Sequence, residues 1–177
     1  SGIGEPFLHP HIYEIVEYAK KKGAAVNCAT NFTRIHDNHR RLVECGIDQC
    51  KVSIDATDPE TFHLIRGEDS WQEIVDNIKT VNLWKERLGR KTPSIRFNFA
   101  LQRFNYLQVV ELVELARELS VDGIYYQFLS YVDMEDRKGM LTGDMSKEKL
   151  RELVDEADKR AKAYGIQTNL DLWQRDF

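Results

Sequence analysis

The chain has 177 residues, of which 42% are hydrophobic and 31% charged, and its formal net charge is −4. This length and composition fit one globular domain that buries roughly 70% of its unfolded surface. The negative charge argues against nucleic acid and anionic membranes as main partners, because both require a clustered basic surface. No apolar run approaches the ~20 residues that span a bilayer and no segment resembles a signal peptide, so we expect a cytoplasmic protein.

Helix-forming and strand-forming segments alternate along the chain. Asp58-Pro59 and Ser146 predict helix starts, and Gly23, Gly46 and Gly165 predict helix ends. Apolar residues at helical spacing predict helices around residues 12–19, 42–43, 62–65, 71–81, 109–119 and 150–164. Runs typical of strands lie at residues 24–30, 49–54, 94–101, 123–129 and 166–172. This alternation predicts an α/β protein built from βαβ units with a parallel sheet.

One long irregular stretch, residues 130–145, interrupts the alternation. We interpret it as an active-site loop or lid. Its acidic residues Asp133, Glu135 and Asp136 are expected to be solvated rather than functional.

The predicted strands carry one apolar and one polar face. Val52 and Ile54 share one face while Ser53 and Asp55 share the other, because side chains alternate along a strand. Parallel strands are normally apolar on both faces, so a polar face must be satisfied by water, by other side chains or by a ligand. We interpret the polar face as a barrel lumen that holds a polar cofactor. The alternative is an open sheet with one wet face.

Polar residues gather near the carboxyl ends of the predicted strands, where ligands of parallel α/β proteins bind. They are Thr30, Asn31, Ser53, Asp55, Asn98, Gln102, Gln127 and Ser130. A ligand site is therefore expected at that rim.

Four motifs in order give the chain a specific resemblance. They are Gly4-Glu5-Pro6, Ala29-Thr30-Asn31, Ser53-Ile54-Asp55 with the following Asp58-Pro59-Glu60-Thr61-Phe62, and Ile65-Arg66-Gly67. Over residues 1–130 the chain resembles radical S-adenosylmethionine (radical SAM) enzymes. It is similar to the cyclic pyranopterin-forming synthase of molybdenum cofactor biosynthesis and to members with a cysteine-rich (SPASM-type) C-terminal domain.

The resemblance implies an incomplete parallel (β/α) barrel over residues 1–177, missing its N-terminal βαβ part, with residues 130–177 as loop, helix and last strand. It implies S-adenosylmethionine and a [4Fe–4S] cluster as cofactors, an electron donor such as flavodoxin or ferredoxin, and a small-molecule or peptide substrate. The family's CxxxCxxC cluster loop is absent from this sequence. We therefore expect the cluster cysteines to lie outside this chain and the chain alone to be inactive.

Residue by residue, the resemblance implies a cofactor-binding set. Gly4, Glu5 and Pro6 form the turn that exposes main-chain groups to the methionine amine. Ser53 is implied to bind the methionine carboxylate or the ribose. Arg66 is implied to pair with the methionine carboxylate. The rest of the implied set is Thr30 and Asn31, which would contact the ribose or help shape the rim, Gln127 near the adenine edge, and Asp55 beside Ser53.

Structural roles are open for several of these residues. Glu5 could favour the N-terminus of the next helix, and Arg66 could be a helix C-terminal residue. Ser53 and Asp55 could form a strand-end turn. Phe32 stands where the family usually has glycine, which is expected to change the loop after Thr30-Asn31.

The three cysteines, Cys28, Cys45 and Cys50, lack the cluster spacing and are interpreted as packing residues. Their odd number favours a reducing compartment.

Two other functions fit a partial barrel. One is a non-catalytic remnant that serves as an interaction scaffold. The other is an aldolase-like or phosphate-binding barrel, which would need a strand-end lysine or a glycine-rich phosphate turn. Lys51, the one lysine in a predicted strand, lies at the wrong end for that chemistry.

Overall fold

A computed structural model describes residues 4–128 and 146–173. In these two ranges, four strands, β1 to β4, span Asn27–Thr30, Gln49–Ser53, Ser94–Leu101 and Gly123–Phe128. Seven helices of the described residues, α1 to α7, span Ile12–Lys21, His39–Glu44, Pro59–Arg66, Trp71–Arg87, Val109–Glu118, Lys147–Tyr164 and Leu170–Trp173. Single 3₁₀ turns lie at Pro6–Leu8, His36–Asn38 and Tyr106–Gln108. The predicted loop at residues 130–145 lies outside the described residues.

The four strands form one parallel sheet in the order β1-β2-β3-β4. In register, Thr30 pairs with Val52, and Ser53 pairs with Asn98, which pairs with Tyr125. The sheet is an open arc rather than a closed ring, as expected for part of a barrel. The prediction of a parallel α/β sheet is confirmed, as are the first four predicted strands, although β1 begins three residues later than expected.

The prediction of a fifth strand over residues 166–172 is wrong. Gln167 makes a single parallel bridge to Gly123, and the chain then turns into α7. The side chain of Asn169 accepts from the Tyr126 N–H and donates to the Tyr126 carbonyl, both at 2.8 Å. One side chain therefore satisfies the groups that a fifth strand would have paired, while α7 buries Leu170 and Trp173.

The predicted division of the sheet into two faces is confirmed. On one face the helices cover a continuous core, in which Cys50, Val52, Phe97 and Phe99 have no solvent exposure. On the other face most side chains are at least partly exposed, as those of Lys51, Ser53 and Gln127 are, although Ala100 is buried. Within the described ranges, no helix combines the length and apolar character needed to cross a membrane.

The sequence signals for helix starts and ends are confirmed. The carboxylate of Asp58 accepts from the Thr61 N–H at the start of α3, and Ser146 caps α6 through the Lys149 N–H. Gly67 and Gly165 end those helices in the left-handed region, with φ of 72° and 71°. These caps matter for function because α3 carries Arg66.

Gly123 allows β4 to approach the bridge at Gln167, and we expect Gly123→Ala to destabilise the protein by about 2 kcal/mol. A Cβ at this position would lie 2.8 Å from the Gln167 carbonyl oxygen. Gly23→Ala is the matched control, because Gly23 has φ +79° but nothing within 4 Å of its Cβ position. It should cost only about 1 kcal/mol. Urea unfolding of both variants tests this difference, and equal losses would contradict it.

Candidate functional site

The opening turn is attached to the sheet by the carboxylate of Glu5. Its Oε1 accepts from the Thr30 hydroxyl at 2.7 Å and from the Phe7 N–H at 3.2 Å. Its Oε2 accepts from the Asn31 N–H at 2.7 Å. Glu5 thus caps the 3₁₀ turn and joins it to the carboxyl end of β1. The alternative role, in which Glu5 serves only a helix N-terminus, does not account for the two bonds to β1 and its loop.

Thr30 is engaged in structural bonds. Besides donating to Glu5, its hydroxyl accepts from the Phe32 N–H at 2.8 Å. Its register opposite Val52 places it on the helix-covered face, and it is 4% exposed. These contacts and this burial favour a role for Thr30 in shaping the rim over a direct contact with a ribose.

Phe32 keeps the backbone conformation that glycine favours, with φ of +61°. Its ring is fully buried, and its carbonyl accepts from the side-chain amide of Asn77 at 2.8 Å. Asn77 in turn bonds the ring of His39 at 2.7 Å. Burial and this network hold a non-glycine residue in the left-handed region.

Asp55 is the buried anion at the end of β2, with φ of +41° and 5% exposure. Its carboxylate accepts from the Ala100 N–H at 2.7 Å and pairs with Arg66 at 2.5 Å. Arg66 is one-third exposed at its side chain, so part of its guanidinium faces outward. The structure therefore gives Arg66 a partner within the protein, Asp55, which lies two residues after Ser53 in the chain.

Asn105 is a site residue that sequence reasoning missed. It is fully buried, and its amide donates to the carbonyls of Asp55 and Ala100 at 2.9 and 3.0 Å. Its oxygen accepts from the Gln102 N–H at 2.8 Å. Asn105 therefore joins the ends of β2 and β3. The signal that could have found it is an asparagine in the short loop directly after a predicted strand.

Asp58 links the start of α3 to the loop before α5. Partial burial raises the pKa of its carboxyl, but hydrogen bonds from Thr61 and Gln108 outweigh this and hold the pKa below its usual range. Gln108 also accepts from the Thr57 N–H at 3.1 Å. These contacts fix the start of α3 against the loop before α5. They thereby help to set the position of Arg66, the last residue of α3.

We expect Asp58→Ala to lower the free energy of unfolding by about 1 kcal/mol at pH 7 through loss of the cap. Because the folded-state pKa of Asp58 is lowered, the ionic part of its contribution is present above the unfolded pKa of about 3.9. It is lost as the pH falls through the folded value. Urea unfolding between pH 2.5 and 7 should show the two proteins converging in acid, whereas a constant difference would contradict this.

The exposed face of the sheet carries the remaining predicted residues. Ser53 is half-buried and Gln127 is exposed, and neither side chain has a hydrogen-bond partner among residues 4–128 and 146–173. Gln127 pairs in register with Ala100 and lies two strands from Ser53, about 10 Å across the sheet. Both side chains are thus available to a ligand. They lie on the same face of the sheet, Ser53 on β2 and Gln127 on β4.

The cysteines lie on the core side of the sheet. Cys28 and Cys50 pair in register with their Sγ atoms 3.7 Å apart, and burial raises the pKa of the Cys45 thiol. All three are free thiols. In the described part of the chain, no group of three or more His, Cys, Asp or Glu side chains is arranged to hold a metal ion.

A cavity of about 450 Å³ lies between α1, β1 and the opening turn. Gly4, Pro6, Cys28 and Lys51 contribute to its lining. Most of the rest of its lining is apolar and comes from α1 and from the segment around β1.

The chain is similar in sequence to known proteins of one superfamily. The family model of the radical SAM superfamily matches residues 1–82. A cofactor-modifying protein of the tungsten-containing aldehyde ferredoxin oxidoreductase from Pyrococcus furiosus is 31% identical over 125 residues, covering 70% of this chain and 35% of that protein. A probable GTP 3′,8-cyclase from Saccharolobus islandicus is 30% identical over 123 residues, covering 69% of this chain and 38% of the relative. The chain thus spans little more than a third of these relatives.

Two solved structures share the fold. Streptococcus suis SuiB bound to S-adenosylmethionine has a TM-score of 0.70 at 18% identity, covering 94% of this chain and 37% of SuiB. A domain of a pyruvate-formate lyase-activating enzyme from Bacteroides vulgatus has a TM-score of 0.66 at 14% identity, covering 96% of this chain and 94% of that domain. At these identities the likeness concerns the fold.

Proposed function

Because the chain belongs to the radical SAM superfamily, we propose that it is part of an enzyme that reductively cleaves S-adenosylmethionine. When bound, a [4Fe–4S] cluster would supply the electron for that cleavage, which gives a 5′-deoxyadenosyl radical for hydrogen abstraction. The observation that carries the proposal is the attachment of Glu5 to Thr30 and Asn31. It joins the opening turn to the carboxyl end of β1, and β1 is the neighbour of β2, which ends at Ser53.

The residues present fit S-adenosylmethionine in their chemistry. Gly4 has φ of +144° and nothing within 4 Å of its Cβ position, so a ligand can approach the main chain of the turn. The Ser53 hydroxyl and the Gln127 amide have no protein partner among the described residues. They are the groups we assign to the methionine carboxylate or ribose and to the adenine edge.

Two other members of the predicted set, Thr30 and Asp55, are assigned to keeping the shape of the site, whereas Arg66 and Asn31 are assigned to the ligand. Thr30 and the Asp55 carboxylate are already hydrogen-bonded within the protein. Arg66 uses one guanidinium nitrogen on Asp55 and keeps further donors for a carboxylate. We assign Asn31, whose N–H is bound to Glu5, to the rim beside the ribose.

The parent enzyme should work in the cytoplasm with an electron donor of the flavodoxin or ferredoxin type. Its cluster would be held by cysteines outside this chain. The substrate, a small molecule or a peptide, would lie on the exposed face of the sheet, beside the S-adenosylmethionine that Ser53 and Gln127 are assigned to bind.

The test is the longer parent chain, reconstituted anaerobically with iron and sulfide and then reduced. We expect it to turn brown and to release 5′-deoxyadenosine. Ser53→Ala should raise the KM for S-adenosylmethionine about tenfold, the effect of losing one hydrogen bond to a charged group. Ser94→Ala, at the opposite end of the neighbouring strand β3, is the matched control and should leave KM unchanged. Failure of the wild-type parent to cleave S-adenosylmethionine would overturn the proposal.

A further inference from the structure

Two cations lie side by side on the exposed face of the sheet. Lys51 on β2 pairs in register with Arg96 on β3, so their side chains leave the sheet next to each other. Both belong to the face that carries Ser53 and Asn98. Like charges placed directly opposite each other across strands destabilise a sheet unless an anion compensates them.

No anion from the described residues compensates this pair. Lys51 and Arg96 are the only basic residues in the four strands β1 to β4. Neither has an ion-pair partner within residues 4–128 and 146–173. The chain as a whole carries a net charge of −4, so acidic residues are plentiful elsewhere. The pair is therefore a local positive site in an acidic protein.

Arg96 also carries an unsatisfied donor. Its Nε is buried and has no hydrogen-bond partner, and it is the one such side-chain atom among the described residues. The guanidinium is oriented by a bond from its terminal nitrogen to the side chain of Gln167. A buried unpaired donor on a charged group is costly, and it indicates a water or a ligand atom at that point.

Lys51 extends across the same face of the sheet toward β4. Its ammonium lies 5.9 Å from the ring centroid of Tyr125, which is half exposed. Lys51 also lines the cavity that opens beside Gly4. Along β2 it is two residues before Ser53, which places it about 7 Å deeper on the face than the rim.

We propose that Lys51 and Arg96 form an anion-binding subsite for the phosphate or carboxylate group of a small-molecule substrate. A single oxyanion can accept from the Lys51 ammonium and from the Arg96 guanidinium, which removes the repulsion and supplies charge-assisted hydrogen bonds. The assignment of this anion to the substrate rests on the proposed function. The binding of an anion by Lys51 and Arg96 does not rest on the proposed function, because it requires neither S-adenosylmethionine nor a cluster.

The test uses the ¹⁵N-labelled 177-residue chain, titrated at low ionic strength with inorganic pyrophosphate and, separately, with citrate. We expect saturable shifts of the backbone amides of Lys51, Arg96 and Tyr125 with at least one of them, and the tighter ligand identifies phosphate or carboxylate chemistry. Lys51→Met and Arg96→Met should each weaken binding about tenfold. The matched control is Lys79→Met, which removes an exposed lysine of α4 and should not change binding.

Thermal unfolding provides a second readout. In the absence of added anions, Lys51→Met should melt at a higher temperature than wild type, because it removes the repulsion with Arg96. Pyrophosphate or citrate should raise the melting temperature of wild type more than that of Lys51→Met. No saturable shift with either anion, or equal binding by wild type and both methionine variants, would overturn the proposal.

Discussion

Replacing Asn105 by aspartate is expected to lower the free energy of unfolding by about 4 kcal/mol. The amide of Asn105 donates to the carbonyls of Asp55 and Ala100 in a fully buried position. An aspartate has the same shape but no donor, so it would place a carboxylate oxygen against two carbonyl oxygens. The buried carboxylate of Asp55, close by, adds further repulsion.

Urea unfolding measures this loss against two further variants. Asn105→Ala removes the hydrogen bonds without adding a charge and should cost about 3 kcal/mol. Asn38→Asp makes the same chemical change at an exposed position where the side chain has no hydrogen bond. It should cost less than about 0.5 kcal/mol. Similar losses for Asn105→Asp and Asn38→Asp would show that Asn105 does not join the strand ends.

The second large effect is expected for Glu5→Gln in the parent enzyme, where formation of 5′-deoxyadenosine should fall by 10- to 100-fold. The carboxylate of Glu5 accepts three hydrogen bonds, two on one oxygen and one on the other. A glutamine amide group would face the Asn31 N–H donor with a donor of its own. The opening turn would then lose its fixed position beside the strand ends.

Anaerobic turnover with S-adenosylmethionine tests this, with KM and kcat measured separately. Glu14→Gln is the matched control, because Glu14 is an exposed residue of α1 whose contact with Arg41 is long, at 3.8 Å. We expect it to retain wild-type activity. Equal activities of Glu5→Gln and Glu14→Gln would contradict the role of Glu5 in placing the turn.

Much of the fold follows from local patterns in the sequence. The apolar alternation in β3 and the helical spacing around Val75 predict their elements correctly, because burial against one core enforces both periods. The residues 166–172 also alternate, yet they form a bridge and a helix. A single side chain, Asn169, satisfies the edge of β4 there, and no local pattern in the sequence encodes that long-range contact.

For the candidate site, sequence patterns predict a set of ligand-binding residues but not the bonds that these residues make within the protein. Asp55 and Arg66 were placed near a ligand, and the structure shows them paired with each other. Asn105 was missed because its partners are backbone groups from two strands, about 50 residues apart in the chain for Asp55. Lys51 and Arg96 become neighbours only through the register of β2 and β3.

The opening turn is attached to the shortest strand of the sheet. β1 has four residues, of which only Thr30 is buried, and it has one neighbouring strand, whereas β3 has eight residues and two neighbours. Amide hydrogen exchange should therefore be slowest in β3 and fastest in β1. A ligand held by the turn would be bound by the part of the sheet that opens most readily. Ligand binding should therefore slow amide exchange in β1 and leave exchange in β3 almost unchanged.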